Sequence, residues 1–389
     1  MNAGRMVFAQ LLDFLPKHEF RQCVRRYRGD FHARRLTCYD QFICLAFAQL
    51  TYRESLRDIE TCLGAMQKKL YHAGLRGSPA RSTLADANEK RDWRIYADLA
   101  QVLIARARKL YSNESFGVDL EETAYAFDST TIDLCLSLFP WAHFRRAKGA
   151  IKLHTLMDLR ASIPCFVLVS HGKYSDVSSL DDLPIEPGAF YIFERAYTDF
   201  ARLYRFSTSA AFFVTRAKRD LDFRCRPSAP VDKAMGLRCD QSIRLQGPLT
   251  SRRYLVLLRR IRYVEPQTGK RLVFLTNNFS LPALTIAQLY HCRWRIELFF
   301  KWIKQHLRIK AFYGTSPNAV KTQVWVAISI YVLVAILKKE LRIERSLAEI
   351  LQILSLTLFE KTPISQVLSQ SAHLSEGPES LKQASLFAF

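Results

Sequence analysis

The chain has 389 residues, with 57 Lys and Arg against 36 Asp and Glu and a formal net charge of +21 at pH 7. Hydrophobic residues make up 49% of it, which excludes a wholly disordered chain and leaves room for two or three cored domains. The charge builds a positive field that attracts polyanions, nucleic acid being the commonest, although a basic protein without a specific partner would share this composition. Nine cysteines are present without a CxxC pair, so zinc-ribbon spacing is absent. Their odd number and the opening MNAGRMVFAQ, which does not read as a signal peptide, point to reduced thiols and a cytoplasmic protein.

In chain order, residues 7–75 carry helical periodicity with basic interruptions. The stretch Phe20 to Arg35 is rich in arginine, with Tyr27 and Phe31 between the cations, a mixture that contacts phosphates and stacks on bases. A solvated helix face gives the same pattern. A turn-rich segment from Gly74 to Pro79 precedes a helical run opened by Ser82 and Thr83 that continues through Trp93 to Leu110. The pattern changes near Gly117. Tyr125 to Leu136, Ile151 to Leu159 and Ser162 to Ser170 read as strands. After a helix-like link come the strands Ala189 to Phe193 and Ala211 to Thr215, with a short helix, Phe200 to Phe206, between them. This order predicts a mixed α/β sheet with helices on its faces. The rhythm breaks from Lys218 to Asn278, a β-rich insertion with strand candidates at Tyr254 to Leu258 and Leu272 to Leu275. Helical periodicity resumes at Leu284 and runs through Trp294 and Ile303. A last helix spans about Ala319 to Leu341. Its apolar run, Val324 to Leu337, is too short to span a bilayer comfortably and predicts a buried helix and no membrane partner. The chain after Ser369 is rich in Ser, Gln and Glu and predicts a mobile tail.

Three acidic residues stand out by position. Asp128 interrupts the apolar strand start YAFDST, where a carboxylate needs a partner or a metal. Glu194 closes the strand AFYIF, and functional groups gather at the carboxyl ends of strands in open α/β sheets. Glu297 lies on a helix whose other face carries Trp294, Leu298 and Ile303. Each alone is also explained as a cap or an ion-pair partner. Tyr290, Arg293, Glu297 and Lys304 follow at steps of three, four and seven, which on one helix places all four near one side. Such a set holds a DNA phosphate beside a metal ion, although an amphipathic helix with an i, i+4 Arg–Glu pair is the plainer account.

These four residues match the YREK signature of the insertion sequence four family of DDE transposases, which the chain resembles over nearly its whole length. YAFDSTTIDLCLSLFPWAHFR resembles that family's first catalytic segment, FERAYTDFARLY its second, and RSTLADANEKRDWR with the basic N-terminal segment its DNA-binding part. The resemblance implies an RNase H-like mixed sheet with the β-rich insertion before the last catalytic helix, plus a helical N-terminal DNA-binding domain. The expected division is residues 1–116 for the basic DNA-binding region, 117–341 for the catalytic domain with 217–280 as the insertion, and 342–389 for a C-terminal helix and tail. The resemblance further implies a catalytic and metal-binding triad of Asp128, Glu194 and Glu297 holding two Mg2+ ions, with Mn2+ as substitute. It assigns Tyr290, Arg293 and Lys304 to DNA.

Glu194 departs from the family's second aspartate. Its extra methylene moves the carboxylate by about 1.5 Å, which a magnesium site tolerates poorly and which implies impaired cut-and-paste activity. A catalytically inactive, DNA-binding regulator derived from a transposase is the alternative. The expected partners are the terminal inverted repeats and the target DNA, bound by a homodimer in the bacterial nucleoid. The last residues, Gln383 to Phe387 (QASLF), resemble the short motif that docks on the DNA sliding clamp.

Overall fold

The structure is a computed structural model that describes residues 4–31, 33–145, 148–306 and 312–369. The clamp-like segment Gln383–Phe387 lies outside the described residues.

From Val7 to Leu110 the described elements are all helices, the longest being Cys38–Leu50 and Arg94–Leu110. Sequence fixes their starts. Thr37 accepts a hydrogen bond from the Asp40 N–H (3.1 Å) while the Asp40 carboxylate accepts one from the Thr37 N–H (2.7 Å), a reciprocal capping box. The run expected from Ser82 to Leu110 is two helices, Arg81–Lys90 and Arg94–Leu110.

Ten strands follow: β1 (Ala124–Leu134), β2 (His143–Arg145), β3 (Lys148–Asp158), β4 (Ile163–His171), β5 (Phe190–Phe193), β6 (Phe212–Arg216), β7 (Phe223–Ala229), β8 (Leu237–Leu245), β9 (Leu258–Val264) and β10 (Arg271–Thr276). They form one mixed sheet in the order β2-β3-β1-β5-β6-β10-β9-β8-β7, with β4 also paired to β3. β1 runs antiparallel to β3 and parallel to β5, and β5 runs parallel to β6. The inserted strands β7–β10 continue the same sheet, because β10 pairs antiparallel with β6. Tyr254 to Leu257 is not a strand; the strand in this region starts at Leu258. The link before β5 is a short 3-10 turn, Ser178–Asp182.

Period-two alternation sorts the strand residues. Ala126 of β1 and Ile192 of β5 face the main core, while Phe127 and Phe193 face a second one beneath the helix Phe200–Thr208. The main core is continuous from the N-terminal helices through the helix Pro317–Glu340 to the sheet. That helix, capped by Ser316 with Pro317 in its first turn, is the one described helix long and apolar enough to cross a membrane, yet 94% of its most apolar window is buried inside the protein. It serves as a central core helix. After it, Leu347–Thr357 and Ile364–Ser369 fold back. The Phe8 N–H donates to the Leu358 carbonyl (2.9 Å), joining the two ends of the described chain.

One buried ion pair secures the insertion. Arg259 of β9 grips Asp240 of β8 through two hydrogen bonds (2.8 and 2.7 Å) and donates to the Leu281 carbonyl (2.6 Å), just before the helix Ala283–Cys292. Removing one partner from such a pair strands the other charge in the core. Asp240→Ala is expected to lower unfolding free energy by about 3–5 kcal/mol, read from urea denaturation. The double change Asp240→Leu with Arg259→Met should recover most of the loss. A single-variant loss below about 1 kcal/mol would mean that this clasp contributes little.

Candidate active site

Strand register builds the site. Phe127 of β1 lies beside Phe193 of β5 in the parallel pair, so the next residues, Asp128 and Glu194, emerge side by side where β5 ends. Both follow a residue of the second core and pleat toward the main one. Glu194 then opens the 3-10 turn Arg195–Tyr197. Asp199, a few residues on, caps the next helix by accepting from the Arg202 N–H (3.0 Å).

The third carboxylate arrives from a broken helix. One helix was expected to carry Tyr290, Arg293, Glu297 and Lys304. Instead the helix Ala283–Cys292 ends and Trp294–His306 begins, with Arg293 at the corner. Two tight hydrogen bonds make the turn, from the Arg293 N–H to the Tyr290 carbonyl and from the Ile296 N–H to the Arg293 carbonyl (both 3.1 Å). The second helix buries Ile296, Phe299, Phe300, Trp302 and Ile303, packing Trp302 and Phe299 on Tyr331 of the central helix (ring centroids 4.4 and 5.1 Å). Trp294 and Leu298, expected on the face opposite Glu297, are instead about half exposed, at 54% and 45%. Lys304 lies two turns beyond Glu297 on the same helix and is half-buried.

Arg293 gathers the three carboxylates. Its Nη1 lies 3.0 Å from Asp128 Oδ2, and its Nη2 lies 2.7 Å from Glu297 Oε1 and 3.6 Å from Glu194 Oε2. Its Nε is buried with no hydrogen-bond partner among the described residues. Tyr290, expected to contact DNA, is 7% exposed and donates its hydroxyl to Glu194 Oε2 at 2.5 Å. Two further residues join that the sequence reading did not single out. Arg216, at the end of β6, places Nη1 3.7 Å from Glu194 Oε1. Tyr197 points its hydroxyl at Asp128 Oδ1, 3.4 Å away. Position could have found both: Tyr197 follows Glu194 by three residues, and Arg216 ends the strand parallel to β5.

Burial raises the Asp128 pKa above the ordinary carboxylate value. The Ser129 N–H and Arg293 oppose the shift, and the charges of Glu297 and Glu194 add to it. For Glu194 burial pushes the same way, but the Tyr290 hydroxyl, Arg293 and Arg216 outweigh it and hold the group below its usual value. Neighbouring carboxylates thus sit in environments that separate their protonation, a frequent property of catalytic corners.

The donor set is of the type a hard divalent cation takes, since the three carboxylates offer only oxygen. Among the described residues the carboxylates meet the guanidinium rather than one another, and no group of three His, Cys, Asp or Glu side chains is gathered as a ligand cluster.

Residues 119–333 match the family described as "Transposase DDE domain", and residues 3–76 match a domain of unknown function (DUF4372). The chain is 30% identical over 294 residues to "Putative transposase y4zB" of Sinorhizobium fredii, covering 75% of this chain and 80% of that protein. It is 30% identical over 211 residues to "Probable transposase for insertion sequence element IS5377" of Geobacillus stearothermophilus, covering 53% and 54% respectively. It is 23% identical over 345 residues to "Putative transposase for insertion sequence element IS4SA" of Synechocystis sp., covering 82% and 88%. The chain belongs to the DDE-domain transposase family. Membership implies DNA as the partner and a divalent metal in the chemistry.

A polar cluster abuts the site. Ser129 donates its hydroxyl to Asp176 Oδ1 (2.7 Å), which also pairs with Lys152 Nζ (3.1 Å). His154, fully buried, contacts Ser170 Oγ through Nε2 (2.9 Å) and lies 3.8 Å from Asp176 through Nδ1. Burial lowers the His154 pKa from 6.5 to about 4; Asp176 opposes the shift and Lys152 adds to it. Between those values the unfolded chain binds the extra proton, so stability rises with pH. The contribution is complete above pH 6.5 and is lost as pH falls toward 4. Between pH 7 and pH 4.5 the wild type should lose roughly 2–3 kcal/mol more unfolding free energy than His154→Gln. Parallel losses in denaturant titrations of the two proteins would exclude this source.

Proposed function

We propose that the chain is a transposase of the insertion sequence four branch, carrying its YREK signature, that moves an element by cut and paste. The observation that carries this reading is the meeting of Asp128, Glu194 and Glu297 at Arg293. The strand order β4-β3-β1-β5-β6, three antiparallel strands followed by two parallel ones, supports an RNase H-like core. Residues 1–116 act as the DNA-binding region and 117–341 as the catalytic domain, extended by the insertion at 217–280. Residues 342–389 supply a C-terminal helix and tail.

Asp128, Glu194 and Glu297 would hold two divalent cations, Mg2+ or its substitute Mn2+, whose chemistry when bound is to stabilise the attacking and leaving oxygens of an in-line phosphoryl displacement. The protein's own groups fix the geometry. Tyr290 and Arg216 keep Glu194 ionised and aimed, and Tyr197 and the Ser129 N–H orient Asp128. Arg293 holds the three carboxylates together, and Lys304, two turns beyond Glu297, is the cation assigned to a backbone phosphate beside the cut. Hydrolysis of the phosphodiester at the element's terminal inverted repeat frees a 3′ hydroxyl, which then attacks a target phosphodiester, joins to its phosphorus and releases the target strand's own 3′ hydroxyl. A homodimer on DNA does this in the bacterial nucleoid, with the tail at Gln383–Phe387 docking on the sliding clamp.

A silent regulator that occupies element ends is the second reading, favoured by Glu194 in the position of the second aspartate. Cleavage of a labelled terminal-repeat duplex in Mg2+ or Mn2+ decides between them. Wild type should cut, and Asp128→Asn or Glu297→Gln should each lower the rate by at least about 100-fold. Glu194→Asp should raise the rate by restoring the shorter reach. A fall would show that Tyr290 and Arg216 are fitted to glutamate, and no cutting by wild type or Glu194→Asp would leave the regulator.

A further inference from the structure

The N-terminal helix Lys17–Arg26 buries Phe20, Cys23 and Val24. Phe20 packs on Phe42, Tyr39 and Tyr96, with ring centroids 5.6–6.2 Å apart. That packing turns Lys17, Arg21 and Arg25, spaced one turn apart, to solvent. The helix ends in a fixed turn. Arg28 adopts φ +49°, and the Gly29 N–H donates to the Val24 carbonyl (2.9 Å). A Cβ on Gly29 would fall 2.4 Å from Ile95 Cδ1 and 2.6 Å from Cys38 Sγ, so the turn is pressed against the core and a larger residue would have to displace those side chains. From it Phe31 projects, 68% exposed.

The arginines of this segment divide into two sets. Arg26 pairs with Asp98, Tyr27 donates to the same carboxylate (3.1 Å), and Arg94 lies over the Tyr27 ring. Among the described residues Arg21, Arg25 and Arg28 form no ion pair. They line a groove of about 1010 Å³ on one side of Phe31. A second cleft, of about 810 Å³, lies on the other side and is lined by Arg34, Arg35 and Lys90, the last paired with Asp86. Arg28 and Phe31 line both, forming a ridge between clefts in which cations outnumber the carboxylates Asp30, Asp86 and Asp92.

We propose that this ridge grips duplex DNA, with Phe31 entering the minor groove, Lys17, Arg21 and Arg25 on the phosphates of one strand, and Arg34 and Arg35 on those of the other. A ridge bordered on both sides by cations complements a groove bordered on both sides by phosphates. An exposed phenylalanine at its crest is the kind of wedge that opens a base step. This assigns a role to the region matching a domain of unknown function, and it rests on the DNA-binding part of the function proposed above.

The test measures binding of a terminal-repeat duplex carrying 2-aminopurine, by anisotropy across a salt series, with the full chain. Thermal melting confirms that each variant folds. Arg21→Ala with Arg25→Ala should reduce the slope of log affinity against log salt by about two and weaken binding at least about tenfold at physiological salt. Phe31→Ala should leave the slope unchanged and abolish the rise in 2-aminopurine fluorescence. Arg26→Ala should change affinity less than about twofold, because Arg26 is already paired. An unaltered slope in the double variant, an equal fall in Arg26→Ala, or unchanged fluorescence in Phe31→Ala overturns the ridge. Cleavage by wild type alongside any of these results leaves the transposase reading standing. Ridge-dependent binding without cleavage removes the transposase reading and keeps the ridge.

Discussion

Three carboxylates cannot share a half-buried corner unless a positive charge sits among them, because each ionised neighbour raises the cost of ionising the next. Arg293 supplies that charge, and the geometry around it follows from the requirement. It must reach Asp128 on β1, Glu194 after β5 and Glu297 on a helix at once. A straight helix from Ala283 to His306 would carry Arg293 as one surface position among many. The break at Arg293 turns its guanidinium inward and lets the two helix segments approach the sheet from different directions.

That corner depends on the sheet beneath it. Parallel pairing of β1 with β5 sets Asp128 beside Glu194, and the neighbouring β6 ends at Arg216. The inserted strands do not hang from the domain as a separate lobe. They extend the sheet and are tied by Arg259 to the carbonyl of Leu281, from which the Tyr290 helix starts. The placement of the Tyr290 hydroxyl on Glu194 is therefore linked to residues far along the insertion.

Much of this was legible in the sequence. Strands such as AFYIF and AFFVT are short, β-branched or aromatic, and bounded by polar turns, so their limits appear within a residue or two. Asp128 and Glu194 stand out by interrupting or closing an apolar run, and Glu297 by its spacing from Tyr290, Arg293 and Lys304. The helix break did not show, because the residues around Arg293 are ordinary helix formers and the corner is imposed by tertiary contact with three carboxylates. The exposure of Trp294 and Leu298 was hidden for a related reason: periodicity counts apolar positions, but Tyr331 on the central helix decides which face of the second segment is covered. Arg216 is hard to place from sequence because its neighbour across the sheet is a property of register, whereas Tyr197 lies in plain view inside FERAYTDFARLY, and only the 3-10 turn after Glu194 aims its hydroxyl at Asp128.

The main core, which runs from the N-terminal helices through Pro317–Glu340 to the sheet, has a mechanical consequence. Tyr331 on that central helix bears directly on Trp302 and Phe299, which lie on the helix carrying Glu297, while the same helix packs against Cys38–Leu50 and Arg94–Leu110. Packed interiors have low compressibility and transmit strain. A load applied at the N-terminal helices is therefore carried to the carboxylate corner through packed side chains of the central helix.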